Sequence, residues 1–182
     1  NDNTAIGRTS LSSNTTGDDN AALGVGALQS NTTGLCNTAI GTQAMISSLT
    51  GDGNVAVGYK ALYTNNGSTP DFNVAIGRQS LCKNTTGYRN VGSGLNSLFS
   101  NTTGHSNVAS GDAALYSNTT GSNNTGLGKD SLINATTGSA NVAIGVCAGS
   151  DASMINITTE SNRFIAGHND ITNSYVKVDW TV

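Results

Sequence analysis

The sequence predicts an all-β fold: a β-solenoid, in the form of a β-roll or narrow β-helix, whose chains associate as a homotrimeric fibre. Three observations predict it. A repeat holds its register along almost the whole chain, each repeat alternates with period two, and apolar residues are too scarce for one compact core. Asn (24), Thr (24), Gly (23) and Ser (21) fill 92 of the 182 positions, while 36% of residues are hydrophobic and 10% charged. Such a composition alone is compatible with disorder. The repeat decides for order.

The anchor of the repeat is Asn-x-Ala-x-Gly. Its Asn stands at Asn3, Asn20, Asn37, Asn54, Asn73, Asn90, Asn107, Asn124 and Asn141, spaced 17 residues apart except for one step of 19. Four residues after eight of the nine anchor glycines comes a large apolar side chain, as at Leu11, Leu28, Met45 and Leu62. Asn-Thr-Thr-Gly then closes the unit, as at 14–17, 31–34 and 84–87. Within Asn-[Thr/Val]-Ala-Ile-Gly, β-branched and aliphatic residues alternate with Ala, the signature of a strand. The Gly serves the corner, where a positive φ or a close approach is required. A second strand is expected over [Ala/Ser]-Leu-x-x-Asn, after which Thr-Thr-Gly turns the chain back. Gly and Asn every few residues exclude a helix. Nine coils at the strand spacing of about 4.8 Å make a rod roughly 43 Å tall.

Stacked coils set like residues on like. The aliphatic column (Ile6, Leu23, Ile40, Val57, Ile76, then Ser93, Ser110, Leu127, Ile144) and the Leu column are expected to form the core. That core is thin. Burial returns about 0.8 kcal/mol per CH₂, whereas fixing each residue costs roughly 1–2 kcal/mol. Further burial is therefore expected between chains. The column from Ala5 to Ala143 reads as the close approach of another backbone, and Ile46, Tyr63, Cys82, Phe99, Tyr116 and Ile133 form a second apolar column. Three rolls packed about an axis are the simplest closed solution, and either column is available to face it. The anchor Asn residues are expected to form a ladder of side-chain amides, each bonded to the coils above and below.

The organisation reads as a repeat roll over 3–161 and a C-terminal capping or tip segment over 162–182. The fourth unit carries two extra residues in a loop, 65–72, that holds the one proline and Phe72. Residues 162–167 echo the anchor, and 175–182 alternate cleanly, with Val176, Val178, Trp180 and Val182 on one face. A terminal strand of this kind is expected to cap the open coil.

These repeats, Asn-Thr-Ala-Ile-Gly followed by Ser-Leu and Asn-Thr-Thr-Gly, resemble those of bacteriophage tail fibres and tailspikes. They are also similar to the left-handed β-roll heads of trimeric autotransporter adhesins, whose units are shorter. The resemblance covers roughly residues 3 to 150. The end, from Gly167 through Tyr175 to Trp180-Thr181-Val182, looks like the segment that precedes a self-cleaving C-terminal intramolecular chaperone. The resemblance implies a left-handed roll, a homotrimer, a processing end at Val182, assembly in the host cytoplasm and a place in the virion. It implies action outside the host cell. No basic segment followed by an apolar stretch marks a signal peptide, and there is no initiator Met, so a fragment or processed product is expected.

Little in the chain suggests chemistry. Cys36, Cys82 and Cys147 lie in different columns of separated coils, so free buried thiols are expected rather than a disulfide framework. His105 and His168 have no Cys/His ligand spacing around them, and no metal or cofactor is expected. Asp18 and Asp19 share a turn, where solvation rather than catalysis is expected. No enzyme is expected. With 8 Lys and Arg against 11 Asp and Glu, no nucleic-acid partner is expected. No run of 18 apolar residues is present, so membrane insertion is not expected. The expected function is a structural and receptor-binding segment of a viral tail fibre that contacts the host-cell surface, with a glycan as receptor. Receptor contacts are expected at Phe72, Tyr88, His105, Arg163, His168 and Tyr175. Tyr88 and His105 share a turn column in adjacent coils, where an aromatic ring can stack on a sugar. The alternative is the head of a bacterial trimeric adhesin. Two remoter alternatives are an ice-binding solenoid and a β-helix acyltransferase; the first is weakened because the Thr-Thr columns lie at turns.

Overall fold

The computed structural model describes residues 2–66, 71–150 and 156–167. Ten strands of three residues follow one another: β1 Thr4–Ile6, β2 Ala21–Leu23, β3 Thr38–Ile40, β4 Val55–Val57, β5 Val74–Ile76, β6 Val91–Ser93, β7 Val108–Ser110, β8 Thr125–Leu127, β9 Val142–Ile144 and β10 Phe164–Ala166. They pair in chain order into one ten-stranded parallel sheet. The register is in phase, with Ala22 opposite Ala39 and Ala56 opposite Ala75. Among the described residues there is no helix. The fold is the parallel β-solenoid that the repeat predicts.

The expected second strand does not form. Each coil has one strand, and the Leu segment is a run of turns. The cause is local: the Leu column is left-handed, with φ of 50° at Leu28, 48° at Leu62 and 51° at Leu98. A residue at such φ cannot be extended. The rungs still join there, because every second amide reaches the next coil. Leu28 N–H donates to the Ala44 carbonyl at 3.0 Å and Ser30 N–H to that of Ile46 at 3.1 Å. Backbone bonding therefore runs around much of the coil, and only the strand side is regular.

The two sides of the strand are the reverse of the expectation. The Ala column is the inside: Ala39, Ala56, Ala75, Ala109 and Ala143 are fully buried. The aliphatic column is outside, with Ile6, Leu23, Ile40, Ile76, Leu127 and Ile144 all exposed. Facing the alanines are the buried Leu column, which was expected, and a small-residue column that includes Ala27, Ala44, Ala61, Ser80 and Ser97. The coil is too narrow for anything larger opposite. Ser80 Oγ donates to the Gly92 carbonyl at 3.0 Å and lies 2.8 Å from Ser97 Oγ, so the two sides of the roll touch there. Of the apolar column after the leucines, Cys82 is buried and Tyr63, Phe99 and Tyr116 are half-buried.

Stacking also fixes the corner glycines. At Gly58 φ is +135°, and an added Cβ would stand 2.6 Å from the Gly77 carbonyl oxygen one rung on.

The asparagines form two ladders inside the roll. Each anchor Asn accepts, on Oδ1, the backbone N–H of the next anchor, as from Asn37 to Asn20 at 3.0 Å and from Asn90 to Asn73 at 3.0 Å. Its Nδ2 closes the coil on the turn glycine: Asn73 to Gly87 at 2.9 Å, Asn90 to Gly104 at 2.8 Å. The anchor ladder thus bonds mainly through backbone groups. Amide-to-amide bonding, which was expected there, is stronger in the second Asn column, where Asn101 donates to Asn84 at 2.7 Å and Asn118 to Asn101 at 2.8 Å. With most buried amide groups satisfied this way, a core of Ala and Leu suffices to close each coil.

Candidate functional site

The turn that leads into each anchor Asn places two residues at the coil's edge, the second of them left-handed throughout. Phe72, Arg89 and Ser106 occupy this second position, at φ of 49°, 54° and 57°. Asp71, Tyr88, His105 and Ser122 occupy the first. The repeat therefore lines up successive side chains at a spacing of about 4.8 Å. Tyr88 and His105 stack with ring centroids 4.8 Å apart and planes 13° from parallel. One backbone bond per rung holds the edge here: Arg89 N–H donates to the Asp71 carbonyl at 2.6 Å, and Ser106 N–H to that of Tyr88 at 3.0 Å.

Of the expected contact residues, the structure brings Phe72, Tyr88 and His105 to one edge. The ring of Phe72, 54% exposed, lies over Gly53 one rung below, where a Cβ would meet it at 2.7 Å. Arg163 is exposed but stands apart, in the anchor column beside β10, where its N–H donates to Asn141 Oδ1 at 3.0 Å. That is three rungs, about 14 Å, along the rod from the turn of His105. His168, Tyr175 and the expected processing end Val182 lie outside the described residues, as does most of the expected tip segment. The stacking of Tyr88 changes one detail. One face of the ring is turned onto His105 along the rod, so on that side the ring edges, the phenol hydroxyl and the imidazole nitrogens are what a ligand meets.

Sequence reasoning missed the cations that sit on these and neighbouring rings. The Arg89 guanidinium lies 5.8 Å from the Tyr88 centroid. Lys83 lies 4.8 Å over Phe99, which itself stacks on Tyr116 at 5.1 Å and 4°. Lys60 sits 5.3 Å from Tyr59 and 5.2 Å from Tyr63, and Arg78 lies 6.0 Å from Tyr59. Arg78 and Tyr59 share a column one rung apart, but the other cations and their rings belong to different columns, so reading single columns does not join them.

Beneath the edge is one buried carboxylate. Asp71, 1% exposed, accepts Nδ2 of Asn65 at 2.9 Å and of Asn54 at 3.4 Å on Oδ2. In regular coils a turn carbonyl does this, as Gly34 does for Asn20 and Asn31. Asp71 Oδ1 has no partner among the described residues. Burial pushes this carboxyl above its ordinary value, against the opposing pull of the two amides.

The three cysteines are free, but only Cys82 is buried; Cys36 is exposed and Cys147 intermediate, which corrects the expectation of buried thiols. Both Cys36 and Cys147 are left-handed residues that lie outside the inward Leu column. Burial raises the Cys82 thiol's pKa. Among the described residues no group of three or more His, Cys, Asp or Glu is placed to hold a metal. Comparison with known proteins returns no match from any family model, curated protein or solved structure.

Proposed function

We propose that this chain is a structural and receptor-binding segment of a phage tail fibre, a left-handed β-roll that works as a homotrimer in the virion. It contacts a glycan on the host-cell surface. The observation that carries this reading is the exposed aliphatic column on the outer side of the sheet. Ile6 is 58% exposed, Leu23 47% and Ile76 45%, in a chain otherwise built from small polar residues. The column runs along the rod, across the parallel strands, and in water it forms two apolar stretches, Ile6 to Ile76 and Leu127 to Ile144, separated by Ser93 and Ser110. Three rolls that turn these strips to a common axis bury them and leave the turn edges outward. Tyr88 and His105 then present their polar rims to solvent on a stiff edge, which supports contact with sugar hydroxyls.

The Thr residues of the turns support the fibre over an ice-binding surface. Thr15, Thr32, Thr85, Thr102, Thr119 and Thr136 each spend the hydroxyl on a carbonyl of the next rung, as in Thr102 to Thr119 at 2.9 Å. Half of each Thr pair is therefore unavailable to order water.

Light scattering under native conditions, with glycan-array binding, tests the proposal. A mass of about 55 kDa, three times 18.4 kDa, is expected, together with glycan binding that Tyr88→Ala weakens. A monomer that binds no glycan overturns it.

A further inference from the structure

The rings and cations of the middle rungs form one belt, and we infer that it binds an anionic polysaccharide. This rests on the glycan reading above and specifies the receptor's charge. Four of the eight Lys and Arg residues, Lys60, Arg78, Lys83 and Arg89, lie within 30 positions. From 53 to 111 the one acidic residue is Asp71, which is buried. The stretch thus carries four cations against one enclosed carboxylate in a chain of net charge −3. Among the described residues the one ion pair is Lys129–Asp130, at 3.3 Å, outside this stretch. All four cations instead lie on aromatic faces, at 4.8 to 6.0 Å from ring centroids.

A cation held on a ring has lost side-chain freedom before any ligand arrives, while its N–H groups stay directed outward for carboxylate, sulfate or phosphate oxygens. Lys83, Arg78 and Arg89 are exposed. The belt runs from the corner after β4 and β5 (Tyr59, Lys60, Arg78), past Lys83, to the turn edge at Arg89. It leaves the outer face of the strands clear for other copies of the chain. Nucleic acid fits less well. Sequence-tolerant single-strand binding uses open ring faces on which bases stack. Here Tyr88 with His105, and Phe99 with Tyr116, each already spend one face on the other, and cations lie over Tyr59, Tyr63, Tyr88 and Phe99.

The test uses the full chain on immobilised polymers: alginate, dextran sulfate, neutral dextran and duplex DNA. Alginate or dextran sulfate is expected to bind, with affinity falling at least about tenfold between roughly 20 and 150 mM salt, and neutral dextran is not. The two anionic polymers separate carboxylate from sulfate recognition. The double variant Lys83→Gln/Arg89→Gln is expected to lose about tenfold or more in affinity, and Lys129→Gln to lose nothing. The polymer and salt comparisons on the unaltered chain decide the matter even if the double variant folds poorly. Equal binding of neutral and anionic polymers, an equal loss in Lys129→Gln, or DNA bound as tightly through the same residues overturns the inference. Neutral-glycan binding that depends on Tyr88 but not on these cations leaves the glycan reading standing and overturns this one. Absence of all glycan binding overturns both.

Discussion

Asn31 donates its Nδ2 to Asn14 Oδ1 at 2.9 Å, while its own buried Oδ1 meets no donor because the next rung carries Ser48. The Ser48 hydroxyl is also buried and unpartnered. A buried polar atom left without a hydrogen bond costs about 1–3 kcal/mol. Ser48→Asn restores the amide of the column, with Asn31 Oδ1 below it and the Gly51 carbonyl beside it. It is expected to stabilise the fold by about 1 kcal/mol, read as a higher denaturation midpoint at an unchanged slope. The other break offers no such gain. Ala135 lies above the orphaned Asn118 Oδ1, but Ile157 is buried in the following turn, so an Asn at 135 only moves the unpaired acceptor one rung along.

The leucines give a second expectation, because their backbone rather than their volume is unusual. Leu98 is fully buried at φ +51°, and Met45 occupies the same column at the same φ. Leu98→Met is expected to cost under about 1.5 kcal/mol, as volume-conserving swaps do. Leu98→Ile keeps the volume but puts a β-branched residue in the left-handed region, and an extra 1–2 kcal/mol, roughly, is expected. Thermal or denaturant melts of the two variants decide it. Equal costs would show that packing alone governs this column.

Asp71 makes the stability depend on pH with a definite sign. Its carboxyl is raised above the ordinary 3.8 in the fold, so the folded chain holds the proton more tightly than the unfolded one. Stability from this group is therefore greatest below 3.8 and is lost as pH climbs through the raised value. Asp18 and Glu160, held below their ordinary values by backbone N–H donors, act in the opposite sense. The difference between the unaltered chain and Asp71→Asn removes those two groups. Relative to the unaltered chain, the variant is expected to be more stable at pH 7, with the gap narrowing as pH falls toward 4. Denaturation midpoints across that range measure it; a gap that does not change with pH refutes the assignment.

The solenoid was legible because a 17-residue period leaves few other folds, and the adjacency of Tyr88 and His105, though not the stacking of their rings on each other, was legible because their spacing is one period. Which side of the strand is inside was not. Alternation of Ala with Ile defines two faces, and ranking by hydrophobicity puts Ile40 inward and Ala39 outward. The roll reverses this because its thickness sets the limit: across the core from the Ala column stand small residues such as Ser80 and Ser97, already in contact with the opposite strand through Gly92. The left-handed leucines escaped for a similar reason. Leu carries no turn preference, and only closing a narrow coil drives it to positive φ.

This inversion yields the sharpest mutational contrast, at two adjacent residues of β3. Ile40 is 40% exposed and Ala39 is fully buried. Ala39→Asp places an uncompensated charge in the roll and is expected to cost about 3–5 kcal/mol, enough to unfold the coil locally or entirely. Ile40→Asp leaves each roll's interior untouched, so its circular dichroism is expected to remain that of the unaltered protein. Its mass by light scattering is expected to fall from about 55 kDa toward 18.4 kDa, because three carboxylates would meet where three aliphatic side chains pack in the proposed assembly. Should Ile40→Asp remain as large as the unaltered chain, the strips do not face one another, and another surface joins the copies.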